Sequence, residues 1–196
     1  MKHIYKQGEQ GKPVFVLLHG TGGDERDLLP LAKVLDPTYG ILSVKGEISE
    51  NGMARFFKRR GEGEYDLEDL EFRGQELYQF IEESSRKYKF NLADVVLVGF
   101  SNGSNIAINV ILRDESLFKK ALLFAPLYPV DLQQNEKDLS EFKVFLSMGE
   151  NDPIVTPEQS KHVIEIFKER GAQVHETWVN SHEITQESLN EAKKLL

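Results

Sequence analysis

Short apolar runs alternate along the chain with segments whose apolar positions recur at helical spacing. Residues 14–18 form a continuous, β-branched run, which is typical of a buried strand. In residues 25–35, Leu and Ala recur at the spacing of one helix face. The same pattern predicts further strands at 41–44, 95–100, 120–124, 142–147 and 174–179, and further helices at 70–88, 105–112, 156–171 and 189–196.

This alternation predicts an α/β fold with a mostly parallel sheet and helices on both faces. One helix has a strong start signal, because Thr156 suits the N-cap, Pro157 the first helical position and Gln159 the third. Residues 46–67 and 126–140 lack readable periodicity and are predicted to be loops. In such sheets ligands bind at the carboxyl ends of the strands, so functional residues are sought where each strand ends.

The predicted strand at 95–100 runs into Gly99-Phe100-Ser101-Asn102-Gly103. This matches G-x-S-x-G, in which a serine on a sharp turn from strand to helix points its hydroxyl into a cleft. The turn crowds its neighbours, which explains a glycine on either side, and the following helix N-terminus offers free N–H groups. The pattern also occurs by chance, but here both the strand and the helix are in place. Ser104, the neighbouring hydroxyl, falls in the first helical turn and is predicted to be a packing residue.

A serine nucleophile needs a base, and the base needs a carboxylate to orient it. Asp152 and Glu150 both follow the strand at 142–147, and we favour Asp152 because the proline after it rigidifies the turn. Of the five histidines, His182 alone is predicted to lie in a loop at the carboxyl end of a strand and late in the chain. The order Ser101, Asp152, His182 is the order found in α/β-hydrolases.

The oxyanion of an acyl-transfer reaction needs N–H donors. One is predicted to be the N–H of Asn102, the residue after the serine. The other is predicted to be the N–H of Thr21, in the glycine-rich segment 19–25 that follows the first strand. His19 is interpreted as a structural residue of this loop rather than a second base. The segment does not match the nucleotide-binding G-x-G-x-x-G, because Glu25 stands where the third glycine belongs.

Composition removes several classes of function. The 196 residues include 24 Lys and Arg against 32 Asp and Glu, and the net charge of −8 argues against nucleic acid or an anionic membrane as the main partner. The chain has no Cys, which excludes disulfides, a cysteine nucleophile and thiolate metal ligands. No metal or organic cofactor is expected. Without a visible signal peptide or a membrane-length apolar run, we expect a cytoplasmic protein.

Segments 19–25, 50–59 and 99–103, together with Asp152-Pro153 and His182, resemble those of a known family. The chain resembles the small bacterial α/β-hydrolases of the phospholipase/carboxylesterase group, and within it the methylhydroquinone-induced and copper-induced hydrolases. The resemblance spans nearly the whole chain, and its specific part is the Arg-Phe-Phe stretch within 50–59. It implies a cofactor-free serine hydrolase of esters or thioesters without a large lid, with its triad at the positions chosen above.

The basic stretch at 55–60 allows two interpretations. It is either a solvated loop of an acidic protein or the source of an arginine that pairs with a carboxylate of the substrate. We take Arg55 as the candidate substrate contact. Phe56 and Met53 are candidates for an apolar wall of the pocket, with a position in the core as the alternative.

The sequence therefore predicts one α/β-hydrolase domain over residues 1–196 that cleaves small carboxylic esters or thioesters through Ser101, Asp152 and His182. A dienelactone-type hydrolase, an acyl thioesterase or a lysophospholipase would use the same side chains. A catalytically silent ligand-binding relative is the alternative outside enzymes, and the complete triad disfavours it. The expected partner is a small-molecule ester, and a homodimer is compatible with the family. Because 196 residues leave no room for a substantial inserted cap, short loops should cover the site.

Overall fold

The computed structural model describes residues Met1–Leu196 and contains eleven strands and five α-helices. In chain order the strands are β1 (His3–Lys6), β2 (Val14–Leu18), β3 (Gly40–Val44), β4 (Ile48–Glu50), β5 (Met53–Arg55), β6 (Arg59–Gly61), β7 (Glu64–Tyr65), β8 (Val95–Phe100), β9 (Lys120–Phe124), β10 (Lys143–Gly149) and β11 (Gln173–Val179). The helices are α1 (Leu29–Leu35), α2 (Leu67–Tyr88), α3 (Asn102–Ile111), α4 (Pro157–Glu169) and α5 (Gln186–Lys193).

Seven strands form one sheet in the order β1-β3-β2-β8-β9-β10-β11. All neighbouring pairs are parallel except β1 with β3, which are antiparallel at the edge. The central strands β2 and β8 are buried almost throughout, as parallel strands covered on both faces must be. The mostly parallel sheet predicted from the sequence is confirmed.

Helices cover both faces of this sheet. One face packs against α2, α3 and α4 in a cluster of 33 buried apolar residues, and the other packs against α1 and α5 in a cluster of 13. Alternate side chains of each strand contribute to the two clusters, so that Val16 faces the larger one and Leu17 the smaller. Apolar burial on both faces therefore fixes the strands that carry the site.

The expectation of an unstructured loop at 46–67 was wrong, because this stretch contains two short hairpins. In the first, β4 pairs with β5 around Asn51-Gly52, where both turn residues have positive φ. Asn-Gly is the preferred sequence for such a two-residue turn, so the signal was present and was missed. In the second, β6 pairs with β7 around a turn in which Gly63 has a φ of 72°. These hairpins bring charged side chains to the site.

Two smaller predictions also need correction. The first helix begins at Leu29 rather than at residue 25, because Asp24 accepts the N–H of Arg26 and closes a turn before the helix starts. The edge strand β1 was not predicted, since four residues are too few to establish a period. By contrast, α4 begins with the predicted capping box, in which Thr156 and Gln159 exchange hydrogen bonds.

The parallel strands direct their carboxyl ends toward one edge of the sheet, where the loops after β2, β8, β9, β10 and β11 meet. Short turns at these ends hold Ser101, Asp152 and His182, and the β4–β5 and β6–β7 hairpins lie beside them. None of the helices combines the length and the apolar character needed to cross a membrane.

Candidate active site

Ser101 occupies the turn between β8 and α3 in a conformation that non-glycine residues rarely adopt. Its φ is 52° and its ψ is −117°. The turn is held from outside, because the Ser101 N–H donates to the carbonyl of Phe124 at 2.9 Å. A Cβ on Gly99 would lie 2.6 Å from the N of Ser104, and a Cβ on Gly103 would collide with the Leu18 carbonyl oxygen. Both glycines of G-x-S-x-G are therefore needed for close approach, as the sequence indicated.

Three side chains from three loops form a continuous hydrogen-bonded chain. The Ser101 hydroxyl lies 2.8 Å from His182 Nε2, and His182 Nδ1 lies 2.7 Å from Asp152 Oδ2. Because an ionised carboxylate only accepts hydrogen bonds, Nδ1 carries the proton and Nε2 accepts from the hydroxyl. The structure thus brings together the three residues that the sequence singled out, in the geometry in which imidazole can take the serine proton.

The turn after β10 fixes the carboxylate of Asp152. Its Oδ1 accepts the backbone N–H groups of Ile154 at 2.7 Å and Val155 at 3.0 Å, which leaves Oδ2 for His182. The side chain is almost completely buried, whereas Glu150, the other carboxylate considered, is exposed. The loop provides the carboxylate with its partners before any substrate is present.

Two backbone N–H groups are available beside Ser101. Asn102 is the first residue of α3, so its N–H has no partner within the helix. The N–H of Thr21 donates to no backbone acceptor, although its neighbours Gly22 and Gly23 do. The two predicted oxyanion donors therefore lie on the loops that border Ser101, and both residues line the same cavity.

His19 holds the Thr21 loop and is not part of the hydrogen-bonded chain. It is buried, its Nδ1 donates to the Gly20 carbonyl at 2.6 Å, and its Nε2 accepts the N–H of Gly46 at 3.0 Å. Burial lowers the pKa of His19 below its ordinary value, which favours the neutral ring that can both donate and accept. Its position agrees with the structural role inferred from the sequence.

The segment from Ala54 to Phe56 contacts the two segments that hold the predicted oxyanion donors Thr21 and Asn102. The Gly22 N–H donates to the Ala54 carbonyl at 2.9 Å, and Arg55 Nη1 donates to Thr21 Oγ1 at 2.7 Å. On the other side, the Phe56 N–H donates to Asn102 Oδ1 at 2.7 Å. These three bonds join the end of β5 and the residue after it to the loop after β2 and to the start of α3. No motif in the sequence predicts these bonds.

A cavity of about 270 Å³ opens beside Ser101 and His182. Its apolar wall comes mainly from Phe100, Leu127, Ile154 and Val155, and its polar wall includes Arg55, Arg59 and Asn105. Arg55 therefore lies where a substrate contact was predicted.

Phe56 and Met53 do not line this cavity. Phe56 is buried and packs on the His19 ring with 4.7 Å between centroids. Met53 is 42% exposed on β5, where it lies next to Gly22. The sequence pattern could not show whether Phe56 and Met53 line the cavity, because their positions depend on how the β4–β5 hairpin packs against the rest of the protein.

Arg59 is the site residue that the sequence reasoning left out. It was grouped with a basic stretch, but it reaches the cavity from β6 and pairs with Glu50 on β4. Glu50 also lies 3.3 Å from Arg55 Nε. Burial, followed by the charge of Arg59, lowers the pKa of the Arg55 guanidinium. No group of three or more His, Asp or Glu side chains is arranged to hold a metal ion.

The fold and the site together define an α/β-hydrolase. A family model described as phospholipase/carboxylesterase matches residues 57–196. The chain is 39% identical over 195 residues to the protein MhqD of Bacillus subtilis (strain 168), covering 99% of this chain and 96% of the relative. The chain therefore belongs to the phospholipase/carboxylesterase family, as the resemblance implied.

Solved structures agree with this assignment. The carboxylesterase of Bacillus cereus is 41% identical and superposes with a TM-score of 0.95, covering all of this chain and 92% of the other. YahD, solved with malic acid, is 32% identical with a TM-score of 0.94, covering 99% of this chain and 97% of the other. The predicted α/β-hydrolase fold without a large cap is confirmed, and the chain stands among the esterase-type hydrolases.

Proposed function

We propose that the protein is a serine hydrolase that cleaves small carboxylic esters or thioesters through an acyl-enzyme on Ser101. The observation that carries this proposal is the hydrogen-bonded chain from Ser101 through His182 to Asp152, with 2.8 and 2.7 Å between the bonded atoms. A hydroxyl is a weak nucleophile until an oriented base accepts its proton, and this chain supplies both the base and its orientation.

The first half-reaction forms the acyl-enzyme. Ser101 Oγ attacks the substrate carbonyl carbon while its proton moves to His182 Nε2, and Asp152 stabilises the imidazolium that results. The carbonyl oxygen becomes an oxyanion that accepts hydrogen bonds from the N–H groups of Asn102 and Thr21. When the tetrahedral intermediate collapses, the bond to the alcohol or thiol breaks and the leaving group takes the proton from Nε2.

The second half-reaction returns the enzyme to its starting state. A water molecule gives a proton to His182 Nε2 and attacks the acyl carbon, and the second oxyanion uses the same two donors. Collapse of this intermediate releases the carboxylic acid, and the proton on Nε2 returns to Ser101 Oγ. No cofactor takes part in the proposed cycle.

The size of the cavity supports small substrates. At about 270 Å³ it falls below the usual range of roughly 300–1,000 Å³ for drug-sized ligands. YahD, a similar protein, was solved with malic acid, a small dicarboxylic acid, which supports a small polar substrate here. We propose further that residues 1–196 act as one domain, since a single sheet carries the loops of all three side chains.

A fluorophosphonate probe tests the proposal, because it phosphonylates a serine activated by a neighbouring base far faster than an ordinary hydroxyl. We expect stoichiometric labelling of the protein and hydrolysis of p-nitrophenyl acetate, and the loss of both in Ser101→Ala. The matched control is Ser104→Ala, which removes the neighbouring hydroxyl that donates to the Phe124 carbonyl at 2.9 Å. Circular dichroism and thermal unfolding show whether each variant is folded.

Labelling in Ser104→Ala should persist. A folded protein that neither takes the probe nor hydrolyses the ester is not a serine hydrolase and would be a ligand-binding relative. Labelling that survives Ser101→Ala would move the nucleophile elsewhere and contradict the proposed mechanism.

A further inference from the structure

We propose that Arg55 and Arg59 form a carboxylate-binding subsite in the cavity beside Ser101, so that the preferred substrates are esters whose acyl part ends in a carboxylate. This inference rests on the proposed function and specifies its substrate class. The sequence predicts a substrate contact by Arg55 alone. The structure adds Arg59, whose side chain is the more exposed of the two.

Arg55 is held rigidly, with one part of its guanidinium left free. Its side chain is 5% exposed; Nη1 donates to Thr21 Oγ1 at 2.7 Å and Nε donates to the Phe57 carbonyl at 3.3 Å. Its Nη2 forms no hydrogen bond within the protein, although the residue lines the cavity. This nitrogen is not fully enclosed by the protein, so it is open to the cavity and can donate to a ligand there.

Arg59 is oriented by Glu50 and presents a free end. Its Nε donates to both carboxylate oxygens of Glu50, at 3.0 and 3.1 Å. Neither terminal nitrogen forms a hydrogen bond within the protein, and the side chain is 24% exposed. The terminal nitrogens of Arg59 are therefore available to a ligand while Glu50 limits their movement.

The charges beside the cavity do not balance. Glu50 is the only carboxylate paired with either arginine, so two guanidinium groups share one negative charge. Glu62 also lines the cavity, but it is exposed and pairs with neither arginine, and water screens its charge. This local excess of positive charge occurs in a protein whose net charge is −8.

The pKa of the Arg55 guanidinium is lowered, first by burial and then by the charge of the neighbouring Arg59. Both effects disfavour the charged form of Arg55, and a bound anion would offset them by stabilising that form. Guanidinium groups match carboxylates in shape and charge, since planar N–H donors meet two oxygens side by side. The apolar wall of the cavity suits a short carbon chain between this carboxylate and the scissile carbonyl.

The experiment compares two substrates that differ only in the end of the acyl chain. The p-nitrophenyl monoester of glutaric acid ends in a carboxylate, and p-nitrophenyl pentanoate ends in a methyl group in its place. We expect the protein to favour the glutarate ester in kcat/KM by about 10-fold or more, as charge-assisted hydrogen bonds predict.

Arg59→Gln should lower kcat/KM for the glutarate ester by between about 10- and 100-fold, while the value for pentanoate stays within about 3-fold. The kcat/KM of Arg59→Lys for the glutarate ester should lie between those of the unchanged protein and Arg59→Gln, since lysine retains the charge but loses the planar donors. The matched control is Arg60→Gln, an equal loss of charge at an exposed neighbour outside the cavity. This control should leave the preference unchanged.

The outcomes separate this inference from the proposed function. Hydrolysis of pentanoate that depends on Ser101, without any preference for glutarate, overturns the subsite and leaves the serine mechanism standing. An equal loss on both esters in Arg59→Gln, or the same selective loss in Arg60→Gln, also overturns it. Failure to hydrolyse either ester, with no labelling by the probe, overturns the proposed function itself.

Discussion

Replacing Asp152 by Asn separates the chemistry of the site from its folding. An Asn carbonyl oxygen can still accept the N–H groups of Ile154 and Val155, as Asp152 Oδ1 does. The amide NH2 then faces His182 Nδ1 where a carboxylate oxygen stands 2.7 Å away. Because an NH2 group only donates, Nδ1 must become the acceptor and the ring proton moves to Nε2. In that tautomer, His182 cannot take the proton of Ser101.

The expected fall in kcat follows from the change of His182 tautomer. The corresponding change in serine proteases lowers kcat by about 10⁴-fold with intact geometry. We expect a loss on the order of 10³- to 10⁴-fold for Asp152→Asn, equivalent to about 4–5.5 kcal/mol in the activation barrier. The thermal midpoint should change little, because both backbone N–H groups keep an acceptor. Asp152→Ala should lose activity and some stability together, since it removes two hydrogen bonds that typically contribute about 0.5–1.5 kcal/mol each.

The assay measures kcat for p-nitrophenyl acetate hydrolysis, with thermal unfolding of each variant alongside. Glu150→Gln is the matched control, since it removes a carboxylate two residues away on the exposed side of the same turn. It should keep kcat within about 2-fold, as expected for a surface carboxylate outside the site. A kcat for Asp152→Asn within about 5-fold of the unchanged protein would refute the tautomer argument, as would an equal loss in the control.

Two further predictions concern the loop that carries Thr21. Thr21→Val keeps the backbone N–H but removes the hydroxyl that accepts from Arg55 Nη1, so kcat should fall about 10-fold with KM less affected. Thr21→Ser keeps this hydroxyl and should retain activity. Equal kinetics for the two variants would contradict a positioning role for the hydroxyl. Because burial lowers the pKa of His19 in the folded protein, the unfolded chain binds its proton more readily, and stability should fall as the pH drops below about 6.5. The urea unfolding midpoints at pH 7.5 and pH 5.5 should differ less in His19→Gln than in the unchanged protein. If the difference is the same in both proteins, His19 is not the source of the pH dependence.

The strand ends that hold Ser101, Asp152 and His182 were predictable because their neighbours encode them locally. The apolar run of β8 and the two glycines around Ser101 specify a buried strand followed by a crowded turn. Parallel strands bring their carboxyl ends to one edge of the sheet, so residues distant in sequence could be expected to meet there. The distances between them then depend on turns whose hydrogen bonds only the structure reveals.

The wall of the cavity was less predictable because it depends on non-local pairing. Each strand of the two hairpins has three residues or fewer, too short to show a period, although Asn51-Gly52 marked the first turn. Whether Arg59 lies in solvent or in the cavity depends on Glu50, nine residues away on another strand. A run of basic residues carries no information about that pairing.

Whether Ser101 carries the covalent intermediate can be measured by mass spectrometry of the labelled protein. The protein is treated with a fluorophosphonate, digested and sequenced by tandem mass spectrometry. We expect a single phosphonyl adduct on Ser101, formed at a rate that falls sharply in Asp152→Asn. An adduct on any other serine, or none on a folded protein that still hydrolyses esters, would contradict this expectation.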